Sequence, residues 1–131
     1  MPPVITALYG ALNAILNIIL AERVSRLRGR HKVSLGMGEA PQLVVAIRGH
    51  ANNAEFVPFA LLMLLLAELC GGDRVLLHVL GGSLLLARIA HPFGLGRKSP
   101  NLFRAVGTGV TWLMIVVSAG YVLYLRTSIV G

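Results

Sequence analysis

Several kinds of residue are scarce in this chain of 131 amino acids, and the scarcity excludes some classes of protein. Cys70 is the only cysteine, so an intrachain disulfide is impossible and cysteine usage does not indicate the compartment. Charged residues make up 13% of the chain and hydrophobic residues 56%, which leaves more apolar surface than one small soluble core can bury. The chain is therefore predicted to be an integral membrane protein.

The N-terminal segment also lacks basic residues. The sequence begins Met1-Pro2-Pro3, without the basic segment of a cleavable signal peptide, and Asn13 and Asn17 interrupt the apolar run that follows. We therefore expect this segment to remain as the first helix. Because the two asparagines are four residues apart on one face, they predict a hydrogen-bonded contact with another helix rather than a ligand site.

Four segments are long and apolar enough to cross a bilayer core, which takes about 20 residues. They predict helices at about 4–27, 41–70, 74–95 and 103–126. The connections are short, and the sequence contains no internal repeat, low-complexity tract or second domain. The sequence thus predicts an all-α fold, an integral membrane four-helix bundle that forms a single domain over residues 1–131.

The net charge of +7 is concentrated in two of the three connections. By the positive-inside rule, the first and third connections are cytoplasmic and both termini lie outside the cytoplasm. These basic residues are also suited to membrane lipid headgroups as partners. Nucleic acid is excluded as a partner, because no aromatic residues interleave with the basic ones and no nucleic-acid motif is present. The basic residues of the two connections are Arg23, Arg26, Arg28, Arg30, Lys32, Arg97, Lys98 and Arg104.

A polar stripe interrupts the second predicted helix. Arg48, Asn52 and Glu55 stand at positions i, i+4 and i+7, so they share one helix face ahead of the apolar run that starts at Phe59. An ionisable side chain left in hydrocarbon costs roughly 2.5 to 3.5 kcal/mol on insertion scales. The stripe is therefore expected to face a protein interior or a polar cavity.

The predicted topology brings further polar residues to the same cytoplasmic end. Arg88 and His91, three residues apart, end the third helix, and Arg104 begins the fourth. With the stripe they predict a cationic pocket that holds one buried carboxylate, from Glu55, and suits a small anionic ligand bearing an ammonium group. The alternative is a structural salt bridge from Glu55 to Arg48 or Arg88 that locks the helices together. No metal site is predicted.

Two motifs of this sequence resemble those of the MAPEG family, the membrane-associated proteins in eicosanoid and glutathione metabolism. They are Arg48-x-x-x-Asn52-x-x-Glu55-x-x-Pro58 in the second of four spans and Arg88-Ile89-Ala90-His91 late in the third. The likeness covers nearly the whole chain, and the basic stretch 23–33 is similar to the small bacterial branch. The resemblance implies a left-handed bundle, a homotrimer, and glutathione bound between subunits near the cytoplasmic face; in a bacterium the location would be the inner membrane.

The resemblance also implies roles for individual residues in a glutathione site. Glu55 would hold the ammonium of the γ-glutamyl group, Asn52 would hydrogen-bond the peptide, and Arg48 would bind a carboxylate or brace Glu55. His91 would contact the glutathione backbone, and Arg88 belongs to the same element of the third span. These five residues and one arginine of the first helix form the implied binding set.

The implied catalytic residue is Arg104, the counterpart of an arginine that supports the glutathione thiolate in active relatives. A free thiol has a pKa near 8.5, and an adjacent guanidinium lowers this pKa because it favours the anion. One arginine of the first helix would add a carboxylate contact. We predict Arg26 for this contact, although Arg23 and Arg28 fit the resemblance equally well.

The activity that the resemblance implies is that of a glutathione transferase or peroxidase, in which the thiolate attacks a lipophilic small molecule arriving from the bilayer. Two departures leave an alternative open: Phe93 and Thr108 stand near positions where active relatives have tyrosine. The alternative is a non-catalytic protein of the same fold that binds glutathione or lipid. A third hypothesis is a small proton-coupled drug exporter. Such an exporter requires an isolated carboxylate in the first helix, where none precedes Glu22.

One acidic residue lies outside the proposed site. Glu68 stands near the outer end of the second predicted helix. Two environments are open to it, the lipid headgroups or the axis of a trimer. Nothing in the sequence decides between them.

Overall fold

The computed structural model describes residues 2–95 and 101–130, and within these residues the chain forms four α-helices. They are α1 Val4–His31, α2 Pro41–Leu69, α3 Arg74–Leu95 and α4 Leu102–Val130. Each helix is long and apolar enough to cross a membrane. The predicted all-α membrane bundle is therefore confirmed. Arg97 and Lys98, which support the predicted orientation, lie outside the described residues, and the orientation of the termini stays a prediction.

Helix α1 continues four residues beyond its predicted end, to His31. Arg28 and Arg30 lie in its last turn, where basic side chains favour the negative end of the helix dipole. The helix stops at Lys32, whose backbone is left-handed with a φ of 55°, and the Val33 N–H donates to the Arg28 carbonyl at 3.0 Å. With 28 residues, or roughly 42 Å at 1.5 Å per residue, α1 extends past a hydrocarbon core of about 30 Å.

The apolar core lies towards the end of the bundle that carries the termini, and it draws on all four helices. Consecutive helices are antiparallel, so the start of α1 packs beside the end of α2. The contributing side chains on α2 and on α3 recur three or four residues apart, as expected for one buried face of a helix. The core residues are Ile5, Ala60, Leu64, Ala67, Leu77, Leu80, Leu84 and Met114.

Many large apolar side chains outside this core are exposed. Ile18, Val75, Leu86 and Val116 each expose more than half of their surface. In water such a surface would be unfavourable at roughly 25 cal/mol per Å² of apolar area. The exposed apolar belt is the surface expected of a protein solvated by lipid.

Glu68 has a partner that the sequence does not reveal, because its carboxylate caps the N-terminus of α1. The two carboxylate oxygens accept the backbone N–H groups of Ile5 and Thr6, at 2.8 and 2.7 Å. The first N–H groups of a helix have no partner within the helix, and a negative charge favours the positive end of the helix dipole. Glu68 therefore joins the end of α2 to the start of α1.

We expect Glu68→Ala to lower the free energy of unfolding by about 1 to 2 kcal/mol, because two helix N–H groups lose their acceptor. Glu68→Gln is the matched control, since it retains one acceptor oxygen and should lose less. Thermal unfolding of both variants in the same detergent tests the prediction. A Glu68→Ala protein that melts at the same temperature as wild type would contradict the prediction.

The two asparagines of α1 differ in what they bind. Asn17 accepts a hydrogen bond from Asn53 of α2 at 3.1 Å, so the predicted contact between helices is confirmed for Asn17. It is wrong for Asn13, which donates to the Tyr9 carbonyl of its own helix at 2.8 Å. A buried amide can donate to the preceding turn of its own helix, and the sequence spacing does not distinguish the two outcomes.

Candidate functional site

A cavity of about 420 Å³ lies between α2, α3 and α4, on the side of the core away from the termini. Its size falls within the range of roughly 300 to 1,000 Å³ typical of small-molecule sites. Four residues predicted for the glutathione site line it together, and none of the described lining residues is acidic. The lining residues are Val44, Val45, Arg48, Asn52, His91, Leu95, Arg104 and Thr108.

Each helix contributes side chains spaced four residues apart. Arg48 and Asn52 come from α2, His91 and Leu95 from α3, and Arg104 and Thr108 from α4. Residues four apart lie one above the other on a helix face, so each helix presents one stripe to the cavity. The exposure decreases inwards: Arg48 and Arg104 are exposed, Asn52 is half-buried and His91 is buried.

Close contact between α3 and α4 holds two of these stripes together, and it depends on a glycine. A Cβ atom at Gly107 would lie 2.7 Å from the Cβ of His91 and 3.0 Å from the carbonyl oxygen of Ala87. These distances are shorter than normal van der Waals contacts. Only glycine allows α4 to approach the His91 turn this closely.

Asn101 fixes the start of α4 beside the cavity. Its Oδ1 accepts the Arg104 N–H at 3.0 Å, and its Nδ2 donates to the Gly94 carbonyl at 2.8 Å. Arg104 therefore lies in the first turn of α4, where the helix dipole is positive. The guanidinium and the helix end together favour an anion.

Arg88 lies behind the cavity wall rather than in it. Its side chain is buried, with 1% of its surface exposed. It donates to Asn52 Oδ1 at 2.9 Å and to the Gly107 carbonyl. Arg88 thus contacts a lining residue but is not itself a lining residue, and a direct contact with ligand stays a prediction that the single chain does not support.

Glu55 is exposed and lies outside the cavity, almost one turn beyond Asn52 on α2. The expected buried carboxylate is therefore not found within one chain. Nor does Glu55 form an ion pair with Arg48 or Arg88 within the described part of the chain, where the ion pair found joins Arg26 to Glu22. The polar stripe runs along the edge of the bundle, so Glu55 projects from the protomer instead of into it.

Arg26 lies in a different place from the other predicted residues. It pairs with Glu22 one turn earlier on α1. Together with Arg23, Arg30 and Gln42 it lines a separate cleft of about 350 Å³ between α1 and the start of α2. A single chain does not bring Arg26 to the cavity between α2, α3 and α4.

Sequence reasoning missed the structural role of two residues near the site. The fourth span contains several glycines, Gly107 among them, and a glycine by itself does not show which neighbour approaches it. In the sequence Thr108 stands out only as a residue in place of tyrosine, yet it lines the cavity one turn after Arg104. The spacing of four residues from Arg104 was the available signal for Thr108.

The MAPEG family model matches residues 6–124, which span all four helices. The chain belongs to the MAPEG family. It is similar to a protein named inner membrane protein YecN, with 33% identity over 121 residues that cover 89% of this chain and 92% of the relative. The same values hold for YecN of Escherichia coli strain K12 and of strain O6:H1 CFT073. The family resemblance found in the sequence is thus confirmed, and this MAPEG protein is a multi-pass membrane protein.

Proposed function

We propose that this MAPEG protein binds glutathione in the cavity between α2, α3 and α4, and that the bound glutathione is conjugated to lipophilic electrophiles or reduces lipophilic peroxides. The observation that carries the proposal is the convergence of Arg48, Asn52, His91 and Arg104 on one cavity. Its cytoplasmic position follows from the predicted orientation, and its inner-membrane location from the likeness to YecN.

The cavity has the charge that glutathione needs. At neutral pH glutathione carries two carboxylates and one ammonium group. The guanidinium groups of Arg48 and Arg104 line the cavity with no acidic residue between them among the described residues. Arginine binds carboxylates through two parallel hydrogen bonds, which fix the orientation as well as the position. The cavity of one chain therefore accounts for the carboxylates and leaves the ammonium without a partner.

Arg104 would activate the glutathione thiol. Its guanidinium lines the cavity at the N-terminus of α4, where the helix dipole is positive. Both favour a thiolate over a thiol and lower the pKa of a bound glutathione from about 8.5. The thiolate then attacks an electrophilic carbon of a substrate that enters from the bilayer: a sulfur–carbon bond forms, and the leaving group departs with the electron pair of the bond that breaks. With a peroxide, the thiolate attacks one oxygen of the O–O bond, which breaks to give a sulfenic acid and, after protonation, an alcohol; a second glutathione then condenses with the sulfenic acid to give the disulfide and water.

The partner for the ammonium comes from a second copy of the chain in this proposal. Glu55 is exposed on a membrane-spanning helix. A carboxylate facing lipid is unfavourable, which favours a protein neighbour for this surface. A homotrimer places Glu55 beside a ligand held partly by the neighbouring subunit, and the same contact gives the Arg26 cleft access to that ligand. Native mass spectrometry in detergent should therefore detect trimers, and a stable monomer or a dimer alone would contradict the proposal.

Thermal unfolding with and without glutathione tests binding. A ligand that binds only the folded state stabilises it by about 2.7 kcal/mol at a concentration of 100 times Kd. We expect the shift in wild type and its loss in Arg48→Gln. Arg126→Gln is the matched control, since Arg126 is an exposed arginine near the other end of the bundle. If glutathione raised the melting temperature of both variants equally, the proposal that glutathione binds in this cavity would be wrong.

A non-catalytic glutathione-binding or lipid-binding protein is the second candidate. The observation that favours it is Thr108, which lines the cavity near the place where active relatives have tyrosine, while Phe93 is exposed. Glutathione-dependent turnover of a lipophilic electrophile separates the two candidates. The exporter reading is weaker, because Glu22, the acid of α1, pairs with Arg26.

A further inference from the structure

Arg88 holds a positive charge in the bundle interior, and no carboxylate of the described residues forms an ion pair with it. It is 1% exposed and donates to Asn52 Oδ1 at 2.9 Å and to the Gly107 carbonyl. Its Nε has no hydrogen-bond partner among the described residues. Burying an unpaired cation is unfavourable. If the side chain only filled space in the packing, an apolar residue of similar volume would give a more stable protein. The contact with Asn52 connects Arg88 to the neighbouring cavity, which Asn52 lines.

The contact with Arg88 determines which way the Asn52 amide faces. A guanidinium only donates hydrogen bonds, so it must contact the amide oxygen rather than the NH₂ group. Asn52 also lines the cavity, whereas Arg88 does not. The Asn52 oxygen is engaged by Arg88, and the NH₂ group forms no hydrogen bond with another residue in the described part of the chain.

We infer that Arg88 is a positioning residue that turns the NH₂ group of Asn52 into the cavity, so that the cavity selects a ligand with an oxygen acceptor at this point. The inference rests on the proposed function and specifies it further. The guanidinium groups of Arg48 and Arg104 also only donate. The cavity therefore accepts a carbonyl or carboxylate beside Asn52 and rejects an ammonium or amide N–H there. On glutathione, that acceptor is a peptide carbonyl or a carboxylate, and the ammonium must lie elsewhere.

Asn52→Asp separates the two contacts of Asn52. The aspartate keeps an oxygen for Arg88 and gives its buried cation a counter-charge, so the ligand-free melting temperature should equal or exceed that of wild type. The NH₂ donor is lost and a negative charge faces the cavity. The Kd for glutathione, measured by isothermal titration calorimetry, should rise by about tenfold or more, the scale of one hydrogen bond to a charged group. A purely structural role for Asn52 would not move stability and affinity in opposite directions.

Asn53→Asp is the matched control. Asn53 is the next residue, but it donates to Asn17 of α1 and does not line the cavity. Its replacement should lower the ligand-free melting temperature and leave the Kd for glutathione unchanged.

A double variant tests the contact with Arg88 itself. Asn52→Asp combined with Arg88→Met should melt below Arg88→Met alone, because the new carboxylate is then buried without its partner.

The outcomes distinguish this inference from the proposed function. If wild type shows no response to glutathione, the proposed ligand is wrong, and the ligand-free melting temperatures still decide the amide orientation. If Asn52→Asp alone melts well below wild type, Arg88 does not face the Asn52 oxygen and the inference is overturned. If Asn52→Asp melts as wild type but binds glutathione with unchanged Kd, the NH₂ group is not a ligand contact and the inference is also overturned.

Discussion

Glu55→Gln is expected to weaken glutathione binding by about 2 to 5 kcal/mol, the range typical of breaking a buried charged contact, while the ligand-free protein remains folded. Glutamine keeps the shape and one acceptor oxygen but loses the charge that would pair with the ligand ammonium. Within the described residues Glu55 has no ion pair to lose. Apparent melting temperatures of wild type and variant, each with and without glutathione, measure the effect.

The competing explanation makes a different prediction for the same variant. If Glu55 is a structural partner of an arginine across a subunit contact, its loss leaves a buried cation and should cost about 3 to 5 kcal/mol of stability without ligand. Glu39→Gln is the matched control, because Glu39 is an exposed acid in the connection before α2. A Glu55→Gln protein that loses ligand-free stability but keeps the wild-type glutathione shift would refute the ligand-site hypothesis.

Gly107→Ala should lower the free energy of unfolding by about 1 to 3 kcal/mol, the usual cost of inserting a methyl group into a packed contact. The new Cβ would lie 2.7 Å from the Cβ of His91, so α3 and α4 must separate. The alanine also removes the helix-weakening effect of glycine, which offsets roughly 1 kcal/mol. The steric term should dominate because the atoms it meets include the Ala87 backbone carbonyl, which has little freedom to move.

Gly109→Ala is the control for this prediction. Gly109 lies on the same helix two residues later, and a Cβ there would meet no described atom outside its own turn of helix within 4 Å. Alanine at this position should raise the free energy of unfolding by up to about 1 kcal/mol through helix propensity. Thermal unfolding of the two variants checks the contrast, and equal shifts would show that the α3–α4 contact is looser than the structure indicates.

Much of the candidate site could be predicted from the sequence, because its residues follow simple spacings. Arg48 and Asn52 are four residues apart on a segment that must be helical, and His91 and Arg104 end and begin adjacent spans. All four line the cavity. Their convergence needed only antiparallel helices joined by short connections, and apolar runs of this length indicate both features.

Other residues could not be predicted, because their environment depends on the rotation of each helix about its axis. Arg88 and His91 point only about 60° apart on α3, yet His91 lines the cavity and Arg88 lies behind it. Glu55 shares the stripe of Arg48, but the cavity ends before reaching it. Rotations of this size are decided by close packing between helices, as at Gly107, and not by any local pattern.

The sequence by itself determined the membrane class, the four spans, the family and the polar end of the bundle, since hydrophobic length, charge and motif spacing are properties of continuous segments. Only the tertiary structure decided that Glu68 caps α1 and that Arg88 engages Asn52. Each of these contacts joins residues far apart in the chain: 36 positions separate Asn52 from Arg88, and 63 and 62 positions separate Glu68 from Ile5 and Thr6. Such pairs arise when helices pack, because a buried charge must find the donors or acceptors that the packing happens to bring within reach.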